Sequence, residues 1–294
     1  MSRRLAPAAT AAVLALALTA PAHAWPFGKK ADAQPADSST AAPAKAQAPA
    51  GKAAARPGPR KATAEERAEA ERLEPLARAA FWTRETDIDP SDLSAGLKLS
   101  QALRAVGQND QAATAAERVL VLHPGNVDAL MELARSDIAR NQGFYAIDPA
   151  QRAAAAAPKD WRPQSLLGVA LDEVGRTDEA RAAWNAALKL SPDNPAVLSN
   201  LAMSYLATGD APRAETLLRT AVAQPNASLQ ERQNLALVLG LEGRMPEAEQ
   251  ILRRDVPPEQ ADADLAWLRA RMAQAASKTA APARTWSSLE GAAH

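Results

Sequence analysis

Five leucines, Leu99, Leu133, Leu167, Leu201 and Leu235, stand 34 residues apart, and an alanine follows each one thirteen positions later: Ala112, Ala146, Ala180, Ala214 and Ala248. With repeat starts at Leu93, Val127, Trp161, Pro195 and Leu229, the prolines Pro124, Pro158 and Pro192 all fall at repeat position 32, without an insertion anywhere. Such a period restricts the chain to one supersecondary unit copied in a row, each copy burying its apolar face only against its neighbours. An array of this kind offers extended surface rather than converging reactive groups, which points to binding.

A 34-residue unit is the tetratricopeptide period, two antiparallel helices per repeat. The expected fold is all-α: a tetratricopeptide repeat (TPR) solenoid, a right-handed superhelix of antiparallel helix pairs. Position 8 is small in every copy (Ser100, Ala134, Gly168, Ala202, Ala236), as expected where helices A and B of one repeat touch. Position 15 is Gly107, Asn141, Gly175, Gly209 and Gly243, residues suited to the left-handed conformation that ends a helix. Pro212 and Pro246 sit where B helices begin, and a missing N–H costs nothing there. Ser228 with Glu231 forms a capping box opening the fifth repeat.

The flanks read differently. Arg3 and Arg4, the apolar run from Leu5 to Ala20 and the small-x-small pattern Ala22-His23-Ala24 predict a signal peptide over 1–24, cut before Trp25. Residues 25–61, dominated by Ala, Pro, Lys and Ser, predict a disordered linker with an end-to-end distance of about 35 Å. The solenoid is expected over 62–275. It opens with a degenerate unit at 62–92, where a Thr63–Glu66 capping box precedes a helix carrying Leu73 and Leu76, and Trp82 and Pro90 hold repeat positions 24 and 32. Five repeats at 93–262 follow, then a capping helix at 263–275 bearing Leu265, Trp267 and Leu268, and a disordered tail at 276–294.

Lys and Arg balance Asp and Glu at 34 each, and loss of Arg3 and Arg4 with the signal peptide leaves 32 basic residues, so no electrostatic case for nucleic acid exists. There is no cysteine, which excludes disulfides and the lipid-bearing cysteine of a lipoprotein signal. The expectation is an exported, soluble periplasmic protein with neither a membrane span nor a lipid anchor. Of three histidines only His123 lies within the array, so no His or Cys metal cluster is expected, and no cofactor. Nucleophile-elbow, phosphate-loop and zinc-protease motifs are missing as well, and the chain reads as a non-enzyme.

Repeat two breaks its own pattern, because Pro149 stands in the middle of helix B. The local solution starts a short helix with Asp148 as N-cap and leaves Gly143 to Ile147 as a loop. Phe144, Tyr145 and Ile147 on that loop act either as a plug packed into the solenoid or as an exposed partner contact, and the usual burial of large aromatics favours the plug. On helix A, positions 2, 5, 6, 9, 12 and 13 are expected to face the concave side. That puts Lys98, Gln101, Arg104, Glu132 and Arg135 at one end and Asn200, Met203, Gln233, Asn234 and Leu237 at the other. Asn200 and Asn234 recur at position 6, where an amide can clamp an extended peptide backbone; an ordinary solvated polar face is the competing reading, favoured for the charged positions.

The stretches Asp160 to Leu171, Leu190 to Ala202, Arg232 to Leu241 with Glu247-Ala248-Glu249, and Gly143 to Pro149 go beyond generic repeat chemistry. Together, over about residues 75–270, they resemble the TadD-type components of the tight adherence (Tad, or Flp) pilus assembly system. The resemblance implies a non-catalytic assembly factor whose partner is a protein or peptide segment of the pilus secretin or a neighbouring component. Many family members look like lipoproteins, so a chain without the lipidation cysteine is expected to reach the outer membrane through a partner. It also raises Arg232 to Leu241 and Phe144–Tyr145 as functional candidates. The alternative is an exported scaffold serving a cell-wall or cytochrome-maturation enzyme.

Overall fold

The computed structural model describes residues 60–280, so the expected signal peptide, nearly all of the linker and the end of the tail lie outside the described residues. Among the described residues there are thirteen helices and no strand, in two compact units that divide between Arg176 and Thr177. The first holds α1 (Ala64–Ala70), α2 (Pro75–Ile88), α3 (Leu93–Ala105), α4 (Asn109–Leu122), α5 (Val127–Ala139), α6 (Gly143–Ala156) and α7 (Trp161–Glu173). The second holds α8 (Thr177–Leu190), α9 (Pro195–Ala207), α10 (Ala211–Val222), α11 (Leu229–Leu241), α12 (Met245–Asp255) and α13 (Pro258–Ala280).

The A helices α3, α5, α7, α9 and α11 each begin on the residue where the period sets a repeat start, and each runs 13 residues. Their ends share one chemistry. The position-15 residues Gly107, Asn141, Gly175, Gly209 and Gly243 all have φ between 57° and 87°. The next residue then reaches back to a carbonyl five positions earlier, as in Gln142 N to Asp137 O at 2.9 Å and Arg244 N to Leu239 O at 2.9 Å. This Schellman closure satisfies carbonyls the helix leaves unpaired. The starts are equally regular: Asp92, Asn126, Asp160, Asn194 and Ser228, again 34 apart, are N-caps whose side chains accept a backbone N–H of the first turn.

Small residues allow the pairing. Ser100, fully buried, donates its hydroxyl to the Ala112 carbonyl of α4 at 2.8 Å, so the hydroxyl costs nothing at the α3–α4 contact. In both units successive A helices touch, α3 with α5, α5 with α7 and α9 with α11, whereas successive B helices make no comparable contact. Each unit therefore curves with its A helices inside.

The entry to the first unit differs from expectation. The Thr63–Glu66 capping box is present, but α1 ends at Ala70 and α2 restarts at Pro75, so Leu73 and Leu76 do not share one helix with it and both are exposed. Proline is favoured at a first helical position and disfavoured inside a helix, hence the break. Here the organising group is polar. Glu85, with no exposed surface, accepts from the Ala62 N–H at 3.0 Å and from Arg67 at 2.8 Å, and Arg67 also reaches Asp92 at 2.7 Å and lies 5.7 Å above the buried Trp82 ring.

In the second unit the core gathers on α11, with Leu235 to Leu239 packed among Leu218, Leu252, Leu265 and Leu268. Gly240 lets α13 close, since a Cβ there would lie 2.7 Å from Leu268 Cδ1. α13 starts at Pro258, earlier than the predicted 263, because a proline following Pro257 opens a helix readily, and it runs on to Ala280 rather than 275. Asp264 on α13 is buried, and burial pushes its carboxyl up from 3.8 to about 6. A carboxyl raised in the fold contributes stability that is complete below about pH 4 and lost as pH rises through about 6. Asp264→Asn is therefore expected to raise Tm at about pH 7.5 and to flatten the fall in Tm between about pH 4 and pH 6.5, measured by thermal melts of both proteins across that range.

Candidate interaction surfaces

In the first unit the predicted inner-face residues lie on α3 and α5, and each of their charges has a partner. Lys98 Nζ donates to Glu71 Oε2 at 3.1 Å. Glu132, 2% exposed, accepts from Arg104 at 3.1 Å and from Arg135 at 2.6 Å, so one buried carboxylate holds two half-open guanidiniums. Gln101 is half-buried beside them. The result is a fixed row of Arg and Lys donors whose outer edges remain free to meet carbonyls or carboxylates.

In the second unit the predicted residues separate. Asn200 and Met203 are half-buried on α9. Gln233, Asn234 and Leu237 are buried, Leu237 completely. The Asn234 amide donates to Ser199 Oγ at 2.8 Å and its carbonyl oxygen accepts from Gln230 at 3.0 Å, which ties α11 to α9. The two position-6 asparagines thus differ in place despite their shared repeat position: Asn234 is enclosed by Ser199 of α9 and Gln230 one turn back, whereas Asn200 stays half-open. Arg232, singled out with its neighbours by the family resemblance, donates to Asp255 at 2.8 Å and to the Ala227 carbonyl at 3.1 Å, joining α11 to α12.

Repeat two corrects the sequence reading. Gly143 to Ile147 is no loop: α6 begins at Gly143 and continues through Pro149, its seventh residue. Packing outweighs the local cost of about 3 kcal/mol for an interior proline. Ala146, Ile147, Pro149, Ala150 and Ala153 form one buried stripe, and the missing Cβ of Gly143 lets α6 rest against the Ala170 carbonyl and Glu173 of α7. The plug is overturned with the loop. Phe144 and Tyr145 are 72% and 65% exposed, edge to face with centroids 5.7 Å apart, and only Ile147 turns inward. They border a groove of about 620 Å³ that also takes in Glu117 of α4, Asp137 and Arg140 at the end of α5, and Asp148 and Pro149 of α6. Burial raises the Asp137 carboxyl above its ordinary value even though Arg140 donates to it.

Nothing in the sequence of α6 before Pro149 announced an exposed pair; the signal was the buried stripe at helical spacing, which a proline-centred reading hides. Among the described residues no cluster of three His, Cys, Asp or Glu could hold a metal ion, and no helix is long and apolar enough to cross a membrane.

Family models for the tetratricopeptide repeat match residues 93–136 and 173–237. The uncharacterized protein y4yS of Sinorhizobium fredii (strain NBRC 101917 / NGR234) is 33% identical over 107 residues, 36% of this chain; the chain spans 58% of that curated relative's length. Among solved structures, TTC0263, a thermophilic TPR protein of Thermus thermophilus, is 26% identical, with a TM-score of 0.52 over 62% of this chain and 98% of that one. MamA 41-end from Desulfovibrio magneticus RS-1 is 21% identical, with a TM-score of 0.49 over 54% of this chain and 90% of that one. The family matches, the 34-residue helical register and the likeness to TTC0263 make this chain a tetratricopeptide repeat protein.

Proposed function

We propose that this chain is an exported, non-catalytic scaffold that assists assembly of a Tad/Flp-type pilus by holding a polypeptide segment of the secretin or of a neighbouring component. The observation that carries the scaffold reading is the unbroken register: A helices begin at Leu93, Val127, Trp161, Pro195 and Leu229, so equivalent side chains recur along the inner face of each unit. Repeats of this kind bind proteins, and their chemistry is recognition by placed donors and apolar contacts. The pilus assignment is supported by the stretches Asp160 to Leu171, Leu190 to Ala202 and Arg232 to Leu241, which resemble TadD-type components. Lys98, Gln101 and Arg135 in one unit, and Asn200 and Met203 in the other, are the contact residues under this reading. Gln233, Asn234 and Leu237 shape the face from behind. Under the same reading the 1–24 leader directs export to the periplasm, where a partner brings the protein to the outer membrane.

Deletion of the gene, with transcripts of its neighbours at normal levels, is expected to abolish surface pili and adherence. A deletion strain that still makes pili contradicts the assignment. Altered wall or haem chemistry in that strain would move the scaffold to a wall or cytochrome-maturation enzyme instead.

A further inference from the structure

The groove beside Phe144 and Tyr145 runs between the B helices α4 and α6 and over the end of α5, and its lining includes none of the inner-face residues named above. Two large aromatic side chains held in water there are an unfilled contact, since covering each removes apolar surface from solvent. Carboxylates outnumber guanidiniums in the groove, with Glu117, Asp137 and Asp148 against Arg140 and Arg176. Glu117 and Asp148 are exposed at its rim, and the ion pair of Asp148 with Arg152, 3.4 Å between two exposed side chains, holds little. Its two guanidiniums are occupied: Arg140 by Asp110 at 2.9 Å and by Asp137, and Arg176 by a contact of its own. Pro149 adds an acceptor. It has no N–H, so the Tyr145 carbonyl loses the donor that a regular helix would supply four residues on.

Aromatic rings, carboxylates with spare lone pairs and a carbonyl without its helical donor all favour the same ligand chemistry: a cation and N–H donors next to an apolar side chain. We infer that this groove docks a polypeptide segment carrying a lysine or arginine beside an aromatic or branched aliphatic residue. The cation sits between the Phe144–Tyr145 pair and the Asp148 and Glu117 carboxylates, and the apolar residue fills the groove. The inference rests on the scaffold reading for its polypeptide ligand and adds a second surface, with its own partner chemistry.

The test uses the full chain and two fluorescein-labelled decapeptides, one alternating lysine and phenylalanine, the other with glutamate in place of lysine, followed by fluorescence anisotropy. The basic peptide is expected to bind at least about 10-fold more tightly. F144S/Y145S is expected to weaken it at least about 10-fold, and E117K/D148K to reverse the preference between the two peptides. All four side chains are exposed, so an unchanged Tm certifies that each variant is folded. Equal binding of the two peptides, or affinities untouched by either double variant, overturns the inference. Failure here with A-helix crosslinks to a pilus component intact leaves the scaffold reading standing; loss of those crosslinks with peptide binding intact overturns the pilus assignment alone.

Discussion

Replacing Glu85 by alanine is expected to destabilise the N-terminal cap by about 3 kcal/mol, the cost of removing one partner from a buried ion pair. Glu85 has no exposed surface, and its carboxylate receives the Ala62 N–H and the Arg67 guanidinium. Without it, the Ala62 N–H loses its acceptor and Arg67 keeps only Asp92. In a stacked array the loss is local, because each unit leans only on its neighbours. Amides of residues 62–92 should therefore exchange about 100-fold faster in E85A, while those of α5 and α6 change little. Glu85→Gln, which retains an acceptor oxygen, should show a smaller effect. Unchanged exchange in the cap of E85A would show that the triad does not hold it.

Gly143→Val is expected to cost about 2–3 kcal/mol by overpacking. A Cβ at this position would lie 2.9 Å from Glu173 Cβ and 3.0 Å from the Ala170 carbonyl, and a backbone atom cannot swing aside as a flexible side chain can. α6 would have to withdraw from α7 at the point where its first turn presents Phe144 and Tyr145. Gly125→Ala supplies the contrast, because its Cβ meets nothing within 4 Å. Thermal melts should show a large fall for G143V and almost none for G125A. Equal Tm values for the two would refute the close approach of α6 and α7.

Much of the fold could be read from spacing alone, and the reasons are local. Position 15 requires a left-handed backbone, so glycine or asparagine marks every A-helix end, and Asn141 adopts φ 57° where its counterparts are glycines. The N-caps at Asp92, Asn126, Asp160, Asn194 and Ser228 keep the same 34-residue spacing and are equally legible. A single residue is outweighed by what packs around it. Pro149 predicts a broken helix when taken locally, but α6 packs against α5 and α7 with seven of its residues buried and stays whole. Repeat position 6 likewise fixes a helix face but not what covers it. Asn200 stays half-open while Asn234 is buried between Ser199 of the preceding A helix and Gln230 of its own, partners that repeat position alone does not specify. The carboxylate of Glu132 shows the same limit for charge, since its two arginines come from different repeats, 28 residues apart in one case and three in the other.

The most direct measurement of the central claim is photocrosslinking in the native cells, with a photoreactive residue at Gln101 or Asn200 on the inner faces and at Val121, on the outer surface, as a control. The account predicts that the two inner-face positions capture a secretin or another pilus-assembly component that the Val121 position does not. Capture of a cell-wall or haem enzyme from those faces, or no difference between the inner faces and the control, would contradict it.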